Sequence, residues 1–108
     1  MSAGETMQIT GSCREGVLTL RFRGELDHNA AQDAAAALCE RIDAFLPRRC
    51  VLDLRDLSFM DSSGIALIFR AEKKMKELEG TIVISGIRGQ PRRVFAAAGA
   101  DKRLPITE

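Results

Sequence analysis

Two adjacent hydroxyls, Ser62 and Ser63, stand between an acid and a glycine in Asp61-Ser62-Ser63-Gly64. An apolar run before them, Cys50 to Leu54, has the length and content of a buried strand. The chain is expected to turn through Asp56, Ser58 and Asp61, and a helical pattern begins at Ser62 or Ser63. A strand thus delivers two hydroxyls to the first turn of a helix. Backbone N–H groups there lack partners, and the helix dipole is positive. Such a place welcomes an anion. A serine that gains and loses a phosphate at that point would be a switch. A plainer chemistry fits the same residues: Asp61, Ser62 or Ser63 as an N-cap accepting from first-turn N–H groups. Local chemistry alone favours the cap.

Other reactive side chains are few. Cys13, Cys39 and Cys50 are odd in number and lack C-x-x-C spacing, and His28 is the single histidine. No zinc site is expected. Free thiols in a reducing cytosol fit best, with Cys39 and Cys50 in the core. His28 has no Cys or His companion that would make it a metal ligand. Neither serine lies in a G-x-S-x-G turn, so no catalytic residue and no cofactor is assigned. Sixteen basic and fifteen acidic residues leave a net charge of +1. That balance argues against nucleic acid or an anionic membrane as the main partner. No apolar run approaches the ~20 residues of a membrane span. The N-terminus has no basic region followed by an apolar core, so a secretory signal is not expected and the protein reads as cytoplasmic.

The elements that must position the serines follow from periodicity. Met7 to Ser12 reads as an edge strand, Arg14-Glu15-Gly16 as a turn, and Val17 to Gly24 as a strand with Leu18, Leu20 and Phe22 on one face. Together they predict an antiparallel hairpin. Asp27 or Asn29 caps a first helix over about 30–46, with Ala34, Leu38, Ile42, Phe45 and Leu46 as its apolar stripe and Pro47 as its stop. Cys50 to Leu54 is a third strand, less alternating and therefore central. A second helix over about 62–79 carries Ile65, Ile68, Ala71, Met75 and Leu78 inward. Arg70, Glu72, Lys73, Lys74, Lys76 and Glu77 form its solvated face, and Gly80 is its stop. Thr81 to Ser85 is a fourth strand. Pro91 opens a third helix with Val94, Phe95 and Ala98 inward, and Leu104 to Ile106 is a short last strand. The 108 residues make a single α/β domain, core about 7–106, ordered β-β-α-β-α-β-α-β. A small mixed sheet with helices mainly on one side is expected.

Phe59-Met60-Asp61-Ser62-Ser63-Gly64 resembles the signature of the anti-sigma factor antagonists, bacterial proteins of the STAS domain family. Gly24-Glu25-Leu26-Asp27-His28 resembles their second signature. The resemblance runs from roughly Met7 to Ile106. It implies that Ser62, directly after the aspartate, is the phosphorylated residue; spacing alone does not choose between Ser62 and Ser63. It also implies that Glu25, Asp27, His28 and Asn29 belong to the surface that meets an anti-sigma factor serine kinase. Met60, Asp61, Ser63, Gly64, Ile65 and Ala66 flank the serine, with one or two of the apolar ones in the core and the rest at the centre of the interface. A serine phosphatase would reset the switch. The sequence departs from the family at Ala66, where many members have glycine. Many members also continue beyond the last strand into a C-terminal helix.

Three functions compete. The first is the partner switch just described. The second keeps the fold as a constitutive interaction subunit of a transport or sensory assembly, against which an intact Asp-Ser-Ser-Gly argues. The third is an enzyme with Ser62 or Ser63 as nucleophile and His28 as its base, and it ranks last.

Overall fold

Leu18, Leu20 and Phe22 alternate with Thr19, Arg21 and Arg23. The computed structural model, which describes residues 7–108, buries the first set and leaves the second in contact with solvent. The N-terminal residues read above as lacking a signal lie outside the described ones. The order is β1 (Gln8–Arg14), β2 (Val17–Leu26), α1 (His28–Phe45), β3 (Arg49–Met60), α2 (Ser62–Glu77), β4 (Thr81–Ser85), α3 (Gly89–Ala97), a 3-10 turn (Ala100–Lys102) and β5 (Ile106–Thr107). The five strands form one sheet in the order β1-β2-β3-β4-β5. β1 and β2 pair antiparallel through a turn in which Glu15 and Gly16 both take positive φ, the geometry that matches strand twist. β2 to β5 are parallel neighbours, and β3 is central.

Each crossover steps one strand in the same direction. Right-handed crossovers of that kind set their helices on one face. Burial agrees: Leu18, Leu20, Phe22, Cys50, Leu52, Leu54, Ile82 and Ile84 are enclosed, while Thr19, Val51, Asp53 and Val83 on the other face are only half-buried. Leu38 and Ile42 of α1, Ile68, Ala71 and Met75 of α2 and Phe95 of α3 complete the core. Burial pushes the Cys50 thiol up to about 12, so it stays protonated and inert at neutral pH.

Several expectations give way. The stripe of α1 outruns its cover: Phe45 and Leu46 are 54% and 64% exposed, and Leu46 has left the helix in the left-handed region. Leu78 lies at the end of α2, and Ala98 caps α3 in solvent. Glu72 is buried rather than solvated. Its charge is compensated by Arg103 at 2.8 Å and Lys76 at 3.7 Å, and Arg103 lies over the Phe69 ring. Gly80 follows the left-handed residue, which is Glu79. It is needed for space, since a methyl at 80 would come within 2.7 Å of the Arg48 carbonyl. β5 forms after Pro105, which has no N–H to give a ladder, and Leu104 is core.

The largest correction concerns β3. Asp56 and Ser58 do not turn; they lie within the strand, which continues to Met60. The register explains their appearance. Arg21 faces Asp53 and Arg23 faces Asp56, then Gly24 faces Leu57 and Glu25 faces Phe59. β3 therefore carries an extra residue twice. Each bulge breaks the alternation on which a strand is recognised.

Candidate functional site

The parallel register of β2 and β3 pairs Leu26 with Met60, the last residue of each strand. Both strands end level, and each hands over to a helix one residue later. The two motifs that lie about one helix apart in sequence are therefore side by side. Asp27 caps α1, accepting from Ala30 N–H at 2.9 Å. Asp61 caps α2, its Oδ1 accepting from Ser63 N–H at 2.9 Å. The second oxygen of Asp61 accepts from His28 N–H, the first residue of α1, at 3.0 Å. One carboxylate thus serves the starts of two helices, and their positive ends meet at one surface.

The two serines differ. Ser62 is the first residue of α2 and exposed, and among the described residues its hydroxyl has no hydrogen-bond partner. Ser63 is half-buried and sits 3.2 Å from His28 Nδ1. The His28 ring and the Ser63 hydroxyl are thus in contact although 35 residues apart. No carboxylate accepts from the imidazole among the described residues, because Asp61 takes the backbone N–H of His28 instead.

Glu25 is half-buried in the last rungs of β2, and Asn29 is exposed on the first turn of α1. Met60 is fully buried, and Ile65 and Gly64 are buried with it. Of the three apolar residues that flank the serine, Met60 and Ile65 are therefore the two in the core, and Ala66 is the one left exposed. Gly64 lets α2 approach closely: a methyl there would collide with the Met60 side chain and come 3.1 Å from Leu26 Cδ2. Ala66 lines a groove of about 300 Å³ between α1 and α2 with His28, Ala31, Ala35, Leu67 and Arg70.

One residue of the site has no signal in its own neighbourhood. Gln90, at the start of α3, receives the Met60 N–H on its side-chain oxygen and gives its amide N–H to the Met60 carbonyl, both at 2.9 Å. Its amide acts as a strand substitute where β4 no longer reaches. Only a partner 30 residues away gives it this meaning. Among the described residues no group of His, Cys, Asp or Glu converges as a metal site. Among the described residues no helix is long and apolar enough to cross a membrane.

Comparison with known proteins agrees with this geometry. The family model described as STAS domain matches residues 8–108. An anti-sigma F factor antagonist of Paenibacillus polymyxa is 31% identical over 93% of this chain and 86% of its own. An anti-sigma factor antagonist from Mycobacterium paratuberculosis superposes with a TM-score of 0.86 at 22% identity, covering 99% of this chain and 90% of that one. The phosphorylated form of the Bacillus cell fate determinant SpoIIAA superposes with a TM-score of 0.70 at 24% identity, over 94% and 91% of the two chains. With its serine loop and second motif joined at the ends of two parallel strands, this chain belongs to the STAS domain family.

Proposed function

We propose that this protein is a cytoplasmic anti-sigma factor antagonist that works by partner switching. Unphosphorylated, it binds an anti-sigma factor that is also a serine kinase, and so frees a sigma factor. The kinase moves the γ-phosphoryl of its magnesium-bound ATP onto Ser62 Oγ. The hydroxyl proton is lost, ADP leaves, and the complex ends. A serine phosphatase hydrolyses the phosphate and resets the protein. This chain is ligand and substrate in that cycle.

The observation that carries the proposal is the contrast at the start of α2. Ser62 offers an exposed hydroxyl with no hydrogen-bond partner among the described residues, whereas Ser63 is held beside His28. The name of the P. polymyxa relative and the phosphorylated SpoIIAA structure support the same reading. The physical logic is electrostatic. A phosphoserine brings about −1.5 to −2 charges. The helix start tolerates them in the free protein. At an interface the dianion is stripped of water beside Asp61 and Asp27, and affinity falls. A loss of ~3 kcal/mol is a hundredfold.

The test incubates the purified chain with a candidate anti-sigma factor kinase and ATP, and maps the phosphate by peptide mass spectrometry. Ser62→Ala is expected to block labelling and keep binding. Ser62→Asp is expected to fold with wild-type circular dichroism and bind at least tenfold more weakly. Phosphate on Ser63 would overturn the residue assignment. Tight binding by Ser62→Asp would overturn the electrostatic mechanism.

A further inference from the structure

Where β3 runs on past the end of β4, a cavity of about 710 Å³ opens against the start of α3. Arginines from three separate elements line it: Arg23 of β2, Arg55 of β3 and Arg88, the residue that precedes α3. Arg55 is laid across the backbone of Gly86, where a methyl would come 3.0 Å from its Cβ and 3.1 Å from its Nε. Among the described residues none of the three guanidinium groups takes part in an ion pair. One carboxylate, that of Asp56, shares the lining, and Asp56 is exposed. Arg88 occupies the N-cap of α3 without a capping side-chain hydrogen bond, so the positive end of that helix adds to the same field.

Three cations beside a single carboxylate, that of Asp56, leave an excess of positive charge in the lining. Such an arrangement opposes folding slightly and gains its value when an anion arrives. We propose that this groove binds an acidic segment of a protein partner, whose carboxylates are held by Arg23, Arg55 and Arg88. Planar guanidinium forks match carboxylates in pairs of hydrogen bonds, and three of them set apart on different elements suit several carboxylates along a chain. The remaining lining includes Ser58 and Gln90, and the cavity is open to solvent; it does not enclose an apolar ligand. Gln90 joins the groove to the serine loop, since it both lines the cavity and clamps the Met60 backbone. A partner seated over Ser62 would need only to continue along β3 to reach the arginines. The proposal stands apart from the phosphorylation reading, because it concerns the isolated chain and a charged peptide.

The experiment is fluorescence anisotropy of a labelled peptide rich in Asp and Glu, titrated with the full chain at low and moderate salt. The same peptide with Asn and Gln in place of its acids is the control. The acidic peptide is expected to bind, to weaken as salt rises, and to lose at least tenfold in affinity with the R23Q/R55Q/R88Q triple variant. That variant is expected to melt no lower than wild type, because it removes repulsion. If it fails to fold, Arg55→Lys keeps the charge and loses the fork, and weaker peptide binding by that folded protein is the expected result. Equal binding of acidic and neutral peptides would overturn the proposal, as would undiminished binding by the triple variant or by the folded Arg55→Lys protein. Calorimetric binding of inorganic phosphate or pyrophosphate without binding of the peptide would also overturn it, and would make the groove a site for a small oxyanion.

Discussion

The two halves of β3 are built differently. Arg49 to Asp53 is flanked on both sides, pairing with Val17–Arg21 of β2 and Thr81–Ser85 of β4 without a break in register. Cys50 and Leu52 point into the core, and their neighbours Val51 and Asp53 reach the half-open face. Leu54 to Met60 has β2 alone beside it, carries both bulges, and ends with the N–H and C=O of Met60 held by the Gln90 side chain. In the first half the sheet satisfies the backbone, and apolar side chains decide the geometry. In the second half the backbone needs other partners, and polar side chains supply them: Ser58 donates to the Gly24 carbonyl, Gln90 holds Met60, and Asp61 holds two helix starts. The serine surface and the arginine groove both lie where the sheet is incomplete. A finished sheet would have no free edge there to offer a partner.

The contrast predicts different penalties. Leu52→Ala, in the enclosed half, removes a side chain with no exposure and should cost about 3 kcal/mol of unfolding free energy in urea titrations. On the function we propose, the folded fraction should still accept phosphate on Ser62 at the wild-type rate, since the loop is held from elsewhere. A loss below about 1 kcal/mol would mean that the enclosed half is not the anchor we describe. Asp61→Ala, at the far end of the strand, removes acceptors for Ser63 N–H and His28 N–H together. It should cost about 1–2 kcal/mol, more than an ordinary surface change, because two orphan donors lose one cap. Asp61→Asn, with one oxygen and one amide, can accept only one of the two and should fall between. A double cap is refuted if the alanine and asparagine variants are equally stable.

The same division governs how much could be read from the chain. The hairpin, the three helices and the five-strand order came from alternation and helical stripes, because Leu18-Leu20-Phe22 and Leu38-Ile42 obey single local rules. The first half of β3 was legible as an apolar run, Cys50 to Leu54, whose weak alternation marked a central strand. The second half was read as a turn, since two bulges put Asp56 and Ser58 where alternation expects apolar residues. The serine motif and Asp27-His28 could be named, and resemblance gave their roles. Their contact could not be seen, because it depends on strands that end level. The role of Gln90 and the meeting of Arg23, Arg55 and Arg88 in one groove were missed. Each takes its meaning from residues 30 or more positions away, and no local pattern of charge or polarity encodes that distance. Glu72 failed in the opposite direction: its type predicted solvent, and Arg103 from the end of the chain made burial tolerable.

The finest test of the division lies at Gln90. Its amide both accepts from Met60 N–H and donates to the Met60 carbonyl. Glutamate at 90 keeps an acceptor but has no hydrogen to give, and leucine has neither. Net stability should fall by about 0.5–1.5 kcal/mol for each hydrogen bond lost. Local opening should change more. Amide hydrogen exchange at Met60 is expected to quicken in Gln90→Leu, and to a lesser degree in Gln90→Glu, where the acceptor survives. Exchange at Leu52, flanked by strands on both sides, is expected to stay as slow as in wild type apart from the global change. If Leu52 and Met60 quickened by the same factor, β3 would open as one unit. Gln90 would then be a plain contributor to stability, and the serine loop would owe its placement to the whole sheet.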